Sequence, residues 1–135
     1  MSAHERVHGL RLAVTTTDYE NALRLYRDVL GLRERLAISG DRGRVTILDA
    51  GRATLELLDP EHAEFVDEVE VGRRVAGHVR VAFEVDDAAA VTRELAAAGA
   101  DVIAEARPTP WRSLNSRLEG PAGLQLTLFQ ELDGE

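Results

Sequence analysis

The most informative part of the sequence is residues 18–32, which read Asp18-Tyr19-Glu20-Asn21-Ala22-Leu23-Arg24-Leu25-Tyr26-Arg27-Asp28-Val29-Leu30-Gly31-Leu32. Four apolar side chains recur there at i, i+3, i+4 and i+7, the spacing of one helical face, and they are Ala22, Leu25, Tyr26 and Val29. Thr17 and Glu20 have the spacing of a capping box, and Gly31 suits the left-handed backbone that often ends a helix. The pattern predicts an amphipathic helix that buries Tyr26 in the core.

A second segment of the same kind spans residues 86–98, with Asp86 as its expected cap and Gly99 at its end. Each helix follows a strand of alternating pattern and precedes three shorter strand candidates separated by Gly-rich turns. These candidates are residues 32–38, 44–49 and 53–58 in the first half, and 101–106, 113–119 and 124–130 in the second. Both halves therefore read βαβββ.

Corresponding positions of the two halves are separated by a nearly constant interval, which is 71 positions for Glu56 and Thr127. Arg11 and Arg80 stand 69 positions apart, as do Asp18 and Asp87. We interpret the chain as an internal duplication within one domain, with a first unit at about residues 8–58 and a second at about 78–130. Residues 59–77 would then be a linker with one short helix at most, and the acidic stretch 61–70 would be solvated.

The composition excludes several classes of function. The chain has 135 residues, no cysteine and a formal net charge of −8. Thiolate chemistry is therefore excluded, and the acidic balance opposes nucleic-acid binding, which depends on a basic face. Because no segment reaches the length of an apolar membrane span, we expect no membrane partner and a cytoplasmic protein.

Residues 18–32 resemble the first-helix signature of the vicinal-oxygen-chelate superfamily, which includes glyoxalase I, bleomycin-resistance proteins and extradiol dioxygenases. Residues 83–87, the Ala-Ala-Gly that ends at Gly99, and the Gly-Pro-Ala-Gly of residues 120–123 resemble the same superfamily. The resemblance covers about residues 8–130. It implies an α+β fold in which two tandem βαβββ units form a curved sheet, a cup that binds a small molecule, and a homodimer.

Metal-dependent members of that superfamily hold their ion with one side chain from the first and one from the last strand of each unit, usually His or Glu. The corresponding positions here are Arg11, Glu56, Arg80 and Thr127. A guanidinium stays protonated and has no lone pair for a cation, so we expect neither a metal nor another cofactor. A different strand register would make His78 or His8 a ligand, and a glyoxalase-like or dioxygenase-like metalloenzyme would then be favoured.

The cup implied by the resemblance brings Arg11, Glu56 and Arg80 together. One interpretation is that an arginine is left free to bind an anionic or carbonyl-bearing ligand. The other is that these side chains cover a solvated sheet face and pair with one another. The full set of candidate ligand-binding residues is Arg11, Glu56, His78, Arg80, Trp111, Arg112, Asn115 and Thr127.

Two features of the second half stay open. Trp111 follows Pro110 in a loop, where its ring would stack on an aromatic ligand or pack in the core. Along residues 113–119, Asn115 and Arg117 alternate with Leu114, Ser116 and Leu118, and either set would suit the cup.

The leading hypothesis is a metal-independent binding protein that sequesters an anionic or aromatic metabolite or antibiotic. The first alternative is a lyase, isomerase or hydrolase on a carbonyl compound, with Glu56 as general base and Arg11 or Arg80 stabilising an oxyanion. A glutamate held between two arginines would be a poor base, which counts against this alternative. A dimeric interaction module with a filled cup is a further alternative.

Overall fold

The computed structural model describes residues 6–132, in which two βαβββ units are joined by a helix. The strands are β1 (Val7–Thr15), β2 (Glu34–Gly40), β3 (Gly43–Ala50), β4 (Ala53–Leu58), β5 (Val79–Val85), β6 (Asp101–Pro108), β7 (Ser113–Glu119) and β8 (Gln125–Glu131). The helices are α1 (Tyr19–Leu23), which continues as a π-helical segment (Arg24–Val29), α2 (Pro60–Glu70), α3 (Ala88–Ala97) and a short 3₁₀ turn (Pro121–Gly123). The expected α+β fold with a curved sheet is confirmed.

All eight strands form one sheet in the order β2-β3-β4-β1-β5-β8-β7-β6. The two units meet at its centre, where β1 and β5 are antiparallel and Ala13 pairs with Arg80. On either side, β1 is parallel to β4 and β5 is parallel to β8, which puts Glu56 opposite Ala13 and Thr127 opposite Ala82. Because side chains alternate between faces, this register places Arg11, Glu56, Arg80 and Thr127 on one face of the central four strands.

Helices α1 and α3 cover the opposite face of the sheet. Tyr19 and Leu23 of α1 pack with Leu48 and Leu57 of β3 and β4. In the second unit, Ala88 of α3 packs in a cluster that also contains Val85, Leu118 and Leu128. These two clusters bury one face of each unit and leave the other face for the site.

The first helix departs from its prediction after one and a half turns. Arg24–Val29 is π-helical, which changes the angular phase of the side chains that follow. The prediction that Tyr26 is buried is therefore wrong, since this residue is 43% exposed. The capping box is also wrong, because Asp18 occupies the N-cap position and no side chain caps α1. The left-handed Gly31, with φ at +92°, is confirmed.

Helix α3 begins one residue later than expected. Asp87, rather than Asp86, is the N-cap, and its side chain accepts a hydrogen bond of 3.0 Å from the amide of Ala90. Asp86 instead lies exposed and pairs with His8.

Replacement of Asp87 by Ala should lower the free energy of unfolding by about 1 kcal/mol, because an amide of the first turn of α3 loses its acceptor. The measurement is urea denaturation followed by circular dichroism. Asp86→Ala is the matched control, and we expect a change of at most about 0.5 kcal/mol because its side chain is solvated. Equal losses in the two variants would contradict the assignment of the cap.

Helix α2 lies on the cup face rather than in solvent. Its Ala63 and Val66 pack in one cluster with Ala13, Val45 and Leu58 of the sheet. The approach is close at Gly43, where a Cβ atom would collide with the amide nitrogen of His62. The interpretation of the acidic stretch as a solvated linker is therefore wrong for the inner side of α2, where Asp67 and Glu70 are buried.

Candidate ligand-binding site

A pocket of about 570 Å³ lies between the cup face of the sheet and α2. Its polar lining comes from both units, with Arg11 and Glu56 from the first and Arg80, Asn115 and Thr127 from the second. Apolar side chains of β2, β3 and α2 complete the walls. A pocket of this size is in the range that holds a small organic molecule.

Arg80 is the most buried cation that lines the pocket, with 8% of its surface exposed. Its Nη1 donates a hydrogen bond of 2.8 Å to the hydroxyl of Thr127. No carboxylate within residues 6–132 forms an ion pair with Arg80. Burial lowers the pKa of Arg80, and the nearby charges of Glu70 and Glu56 only partly offset this effect. The site therefore holds a desolvated guanidinium without a carboxylate in contact.

Arg11, in contrast, is paired. Its guanidinium lies 3.0 Å from Glu131 and 3.6 Å from Glu56, and it stacks over the ring of Phe129 at 4.3 Å from the centroid. Arg11 and Arg80 thus differ in their surroundings, since Arg11 has local counter-charges and Arg80 has a hydroxyl.

Glu56 points into the pocket with 14% of its side chain exposed. Burial raises the pKa of Glu56, and the charges of Arg11 and Arg80 lower it by less. The 3.6 Å contact with Arg11 is longer than a hydrogen bond. A carboxyl group of this kind exchanges protons closer to neutral pH than an ordinary glutamate does.

We expect Glu56→Gln to raise the free energy of unfolding at neutral pH. The pKa of Glu56 is higher in the folded than in the unfolded state, so protonation of its carboxyl stabilises the fold. This contribution to the free energy of unfolding is fully present at pH values below the pKa of the unfolded state. That stability is lost as the pH rises through the folded pKa, and the variant should match the wild type in acid. Urea titrations across the pH range measure this difference. Glu131→Gln, at the exposed partner of Arg11, is the control and should change the free energy of unfolding by at most about 1 kcal/mol.

A buried ion network fastens α2 to β7. The guanidinium of Arg117 lies 2.8 Å from Asp67 and 2.7 Å from Glu70, and all three side chains are at most 2% exposed. Burial alone raises the pKa of Asp67, but the amides of Ala76 and Val75 and the two arginines that contact it lower the pKa below its ordinary value. The network holds Asp67 as an anion and places the carboxyl of Glu70 beside the pocket.

The network continues into the pocket along β7. Glu70 accepts a hydrogen bond of 2.7 Å from the Nδ2 of Asn115, whose Oδ1 accepts one of 2.6 Å from the hydroxyl of Ser113. Ser116 lies on the other face, where it bonds to Thr92 of α3. The set of residues 113–119 that faces the cup is therefore the one that contains Asn115 and Arg117.

Aromatic rings form one side of the pocket. Phe65 of α2 meets Trp111 edge to face, with centroids 6.2 Å apart, and it meets His62 at 5.6 Å. Trp111 is 39% exposed and lines the pocket, so it is not a core residue. We call His62, Phe65 and Trp111 the aromatic wall.

The structure brings most of the predicted site residues together. Those that line the pocket are Arg11, Glu56, Arg80, Trp111, Asn115 and Thr127. His78 lies outside the lining, where its Nδ1 is 2.9 Å from the carbonyl oxygen of Thr15. Arg112 also lies outside it, in left-handed backbone with φ at 66°. Residues that sequence reasoning missed include His62, Phe65 and Glu70, because they belong to the segment interpreted as a linker.

The residues of the cup do not fit a metal ion. Arg11 and Arg80 occupy two of the four positions that the family resemblance implies for metal ligands, and both line the pocket with N–H donors. In the part of the chain that the structure describes, no three His, Asp or Glu side chains are grouped closely enough to hold a metal.

Paired βαβββ units that form one curved sheet, with a pocket on its concave face, define the fold class of this chain. The profile of the Glyoxalase/Bleomycin resistance protein/Dioxygenase superfamily matches residues 10–128, and this chain belongs to that superfamily. The resemblance seen in the first helix is therefore confirmed. A comparison with curated proteins gives no match.

Solved structures of similar fold come from several bacteria. A hypothetical protein of Bacillus halodurans is 17% identical with a TM-score of 0.66, each chain being covered to 96%. Methylmalonyl-CoA epimerase of Mycobacterium tuberculosis is 22% identical with a TM-score of 0.63, over 95% of this chain and 89% of the other. The epimerase of Streptomyces coelicolor bound to 2-nitronate-propionyl-CoA is 20% identical with a TM-score of 0.63, over 95% and 98%. At these identities the likeness shows the fold.

None of the helices within residues 6–132 has both the length and the apolar character of a membrane span.

Proposed function

We propose that this chain is a metal-independent binding protein that holds a small anionic metabolite or antibiotic in the pocket. The observation that carries the proposal is Arg80, a buried guanidinium whose hydrogen bond goes to the neutral hydroxyl of Thr127. An ionised group removed from water without a counter-ion in contact costs several kcal/mol. An anion that reaches the pocket would offset this cost.

Hydrogen-bonding capacity supports the same conclusion. A guanidinium has five N–H donors, and the bond to Thr127 uses one of them. A carboxylate matches the planar fork of the remaining donors and forms the shorter, charge-assisted type of hydrogen bond. The two carboxylates whose charges act most strongly on Arg80 form ion pairs with other arginines. Glu56 pairs with Arg11, and Glu70 pairs with Arg117.

The test is a thermal-shift screen with acetate, pyruvate, succinate, benzoate and inorganic phosphate, and with the amides of the four carboxylic acids as neutral controls. A bound anion should raise Tm, because a ligand at 100 times its Kd stabilises the folded state by about 2.7 kcal/mol. A screen in which amides shift Tm as much as the acids would contradict the proposal. Shifts that require added zinc or manganese would contradict its metal-independent part.

A second candidate function is proton transfer on a carbonyl compound by an isomerase or lyase. The observation that favours it is Glu56, whose carboxyl has a raised pKa and lies at 3.6 Å from Arg11 rather than between two arginines. Arg80 would then stabilise the developing oxyanion of the substrate. The two epimerases of similar fold act on a substrate of this general kind, as their names state.

Deuterium exchange distinguishes an enzyme from a binding protein. Acids with a proton next to a carbonyl, such as pyruvate or methylmalonate, would be incubated with the protein in D₂O and followed by NMR. Protein-dependent exchange that is lost in Glu56→Gln supports the second candidate. Exchange that is unaffected by this substitution would contradict the role of Glu56.

We also propose that the chain forms a homodimer, as the family resemblance implies. Support comes from three apolar side chains that are exposed to solvent in the π-helical segment and at its end. They are Leu25, Val29 and Leu30. Light scattering coupled to gel filtration should give twice the chain mass, and Val29→Glu should shift the species toward the monomer.

A further inference from the structure

The aromatic residues of this chain are concentrated at the pocket. The sequence contains only three phenylalanines, one tryptophan and two tyrosines. Of these six residues, Phe65, Trp111 and Phe129 line the pocket. Phe129 is covered by Arg11, while Phe65 and Trp111 belong to the aromatic wall. Half of a small aromatic complement at one site indicates that the site favours flat, polarisable groups.

Large apolar side chains lie open to solvent around the same pocket. Trp111 is 39% exposed, and Leu36 and Ile38 of the edge strand β2 are 46% and 49% exposed. All three line the pocket, so they present an apolar surface that the fold itself does not cover. Burial of such surface by a ligand is favourable at about 25 cal/mol for each Å².

The cationic lining limits the charge of the ligand. Arg11 is paired with Glu131 and Glu56, and Arg35 lies 2.6 Å from Asp49. Of the arginines that line the pocket in the described part of the chain, Arg80 is thus the one that has no carboxylate in contact. One uncompensated cation matches a monoanion, such as a carboxylate, better than the double charge of a phosphate ester.

We infer that the ligand is an aromatic carboxylate, with its carboxylate on Arg80 and its ring between the aromatic wall and the side chains of Leu36 and Ile38. This inference rests on the proposed function and adds the chemical class and the orientation of the ligand. Arg80 is 8% exposed and Trp111 is 39% exposed, which puts the anion at the floor of the pocket and the ring toward its mouth.

The geometry of the aromatic wall favours a flat ring over an alkyl group. Phe65 and Trp111 meet at an interplanar angle of 61°, the edge-to-face arrangement that aromatic pairs prefer. Arg42 lies over the ring of Phe65 at 4.6 Å from the centroid and so restrains it. A third ring extends this arrangement with offset or edge contacts, which a saturated ring cannot make.

The experiment compares benzoate, cyclohexanecarboxylate and benzamide by calorimetry, with the emission of Trp111 as a second readout. Since Trp111 is the sole tryptophan, a change in emission reports on the wall itself. We expect benzoate to bind about 3- to 10-fold more tightly than cyclohexanecarboxylate and to alter the emission. Benzamide should bind at least about 10-fold more weakly than benzoate. Trp111→Leu should remove the preference for the aromatic acid, and Trp111→Phe should retain most of it.

The outcomes separate the two proposals. Equal affinity for the two acids, with unchanged emission, would overturn the aromatic inference while anion binding stands. Equal affinity for benzoate and benzamide would overturn anion recognition by Arg80, and so would a failure of both acids to bind. Either result would overturn both the aromatic inference and the proposed anion binding on which it rests. A preference for benzoate that persists in Trp111→Leu would also overturn the orientation.

Discussion

Arg117→Met should lower the free energy of unfolding by about 3–5 kcal/mol, the usual cost of removing one member of a buried ion pair. Arg117 is fully buried and contacts both Asp67 and Glu70, so its loss leaves two carboxylates without their main counter-charge. Since small domains are stable by only about 5–15 kcal/mol, this variant should be among the least stable of single substitutions in the chain.

Arg74→Met is the matched control, because Arg74 also contacts Asp67, at 2.8 Å, but is 39% exposed. Its loss should cost about 1 kcal/mol or less. Urea is the appropriate denaturant, since a guanidinium salt screens charges. Equal losses of stability in the two variants would contradict the prediction that the buried Arg117 holds the network. Arg117→Lys keeps the charge, and its loss of stability should lie between those of Arg74→Met and Arg117→Met.

The deficit of Arg117→Met should shrink in acid. In the wild type the pKa of Asp67 is lowered in the folded state, so its contribution to stability is present above the unfolded pKa. That contribution is lost as the pH falls through the folded pKa. In the variant Asp67 loses the hydrogen bond from Arg117 and takes up its proton at higher pH, which removes its buried charge. A deficit that grows on acidification would contradict this account.

Arg80→Met should weaken the binding of a small carboxylate by about 30-fold or more. Truncation of one partner of a buried, hydrogen-bonded charge pair costs about 2–5 kcal/mol, which corresponds to this loss in Kd. Calorimetry with benzoate measures it. We expect this loss of affinity because, among the described residues that line the pocket, Arg80 is the cation that has no carboxylate in contact.

The same variant should be no less stable than the wild type in the absence of ligand. Burial lowers the pKa of Arg80, so folding disfavours its charged form, and an apolar side chain of similar length removes that cost. Arg11→Met is the control at the corresponding position of the first unit. Because Arg11 is already paired with Glu131 and Glu56, its loss should change Kd by less than about 10-fold. Similar losses in the two variants would contradict the different roles of the arginines.

The sheet was predictable because the first strand of each unit has an alternating pattern, and because Gly-rich turns at residues 39–43, 50–51 and 120–123 separate shorter strands. Strands β4 and β7 coincide with the predicted ranges 53–58 and 113–119. The alternation also places Arg11, Glu56 and Arg80 on the face opposite to that covered by α1 and α3. This part of the site follows from periodicity together with the family resemblance, since neither alone says that the face is concave.

Helix α2 was not predictable in the same way, for a physical reason. Its inward side consists of Ala63, Val66, Asp67 and Glu70, which have the i, i+3, i+4, i+7 spacing of a buried face. Two of these four are acidic, so a search for apolar periodicity does not find them. The buried Arg117 that compensates them lies about 50 residues further along the chain, and only the tertiary structure brings it near.

The antiparallel contact of β1 with β5 relates the two units by an approximate half-turn, and it exchanges Arg11 with Arg80. With equivalent arginines, a ligand would have two poses of equal energy related by that rotation. The carboxylates of Glu131 and Glu56 beside Arg11 remove the degeneracy, because among the described residues Arg80 has a hydroxyl and no carboxylate in contact. A site built from two copies of one unit thereby becomes directional, and an acid whose two ends differ should be bound in a single pose.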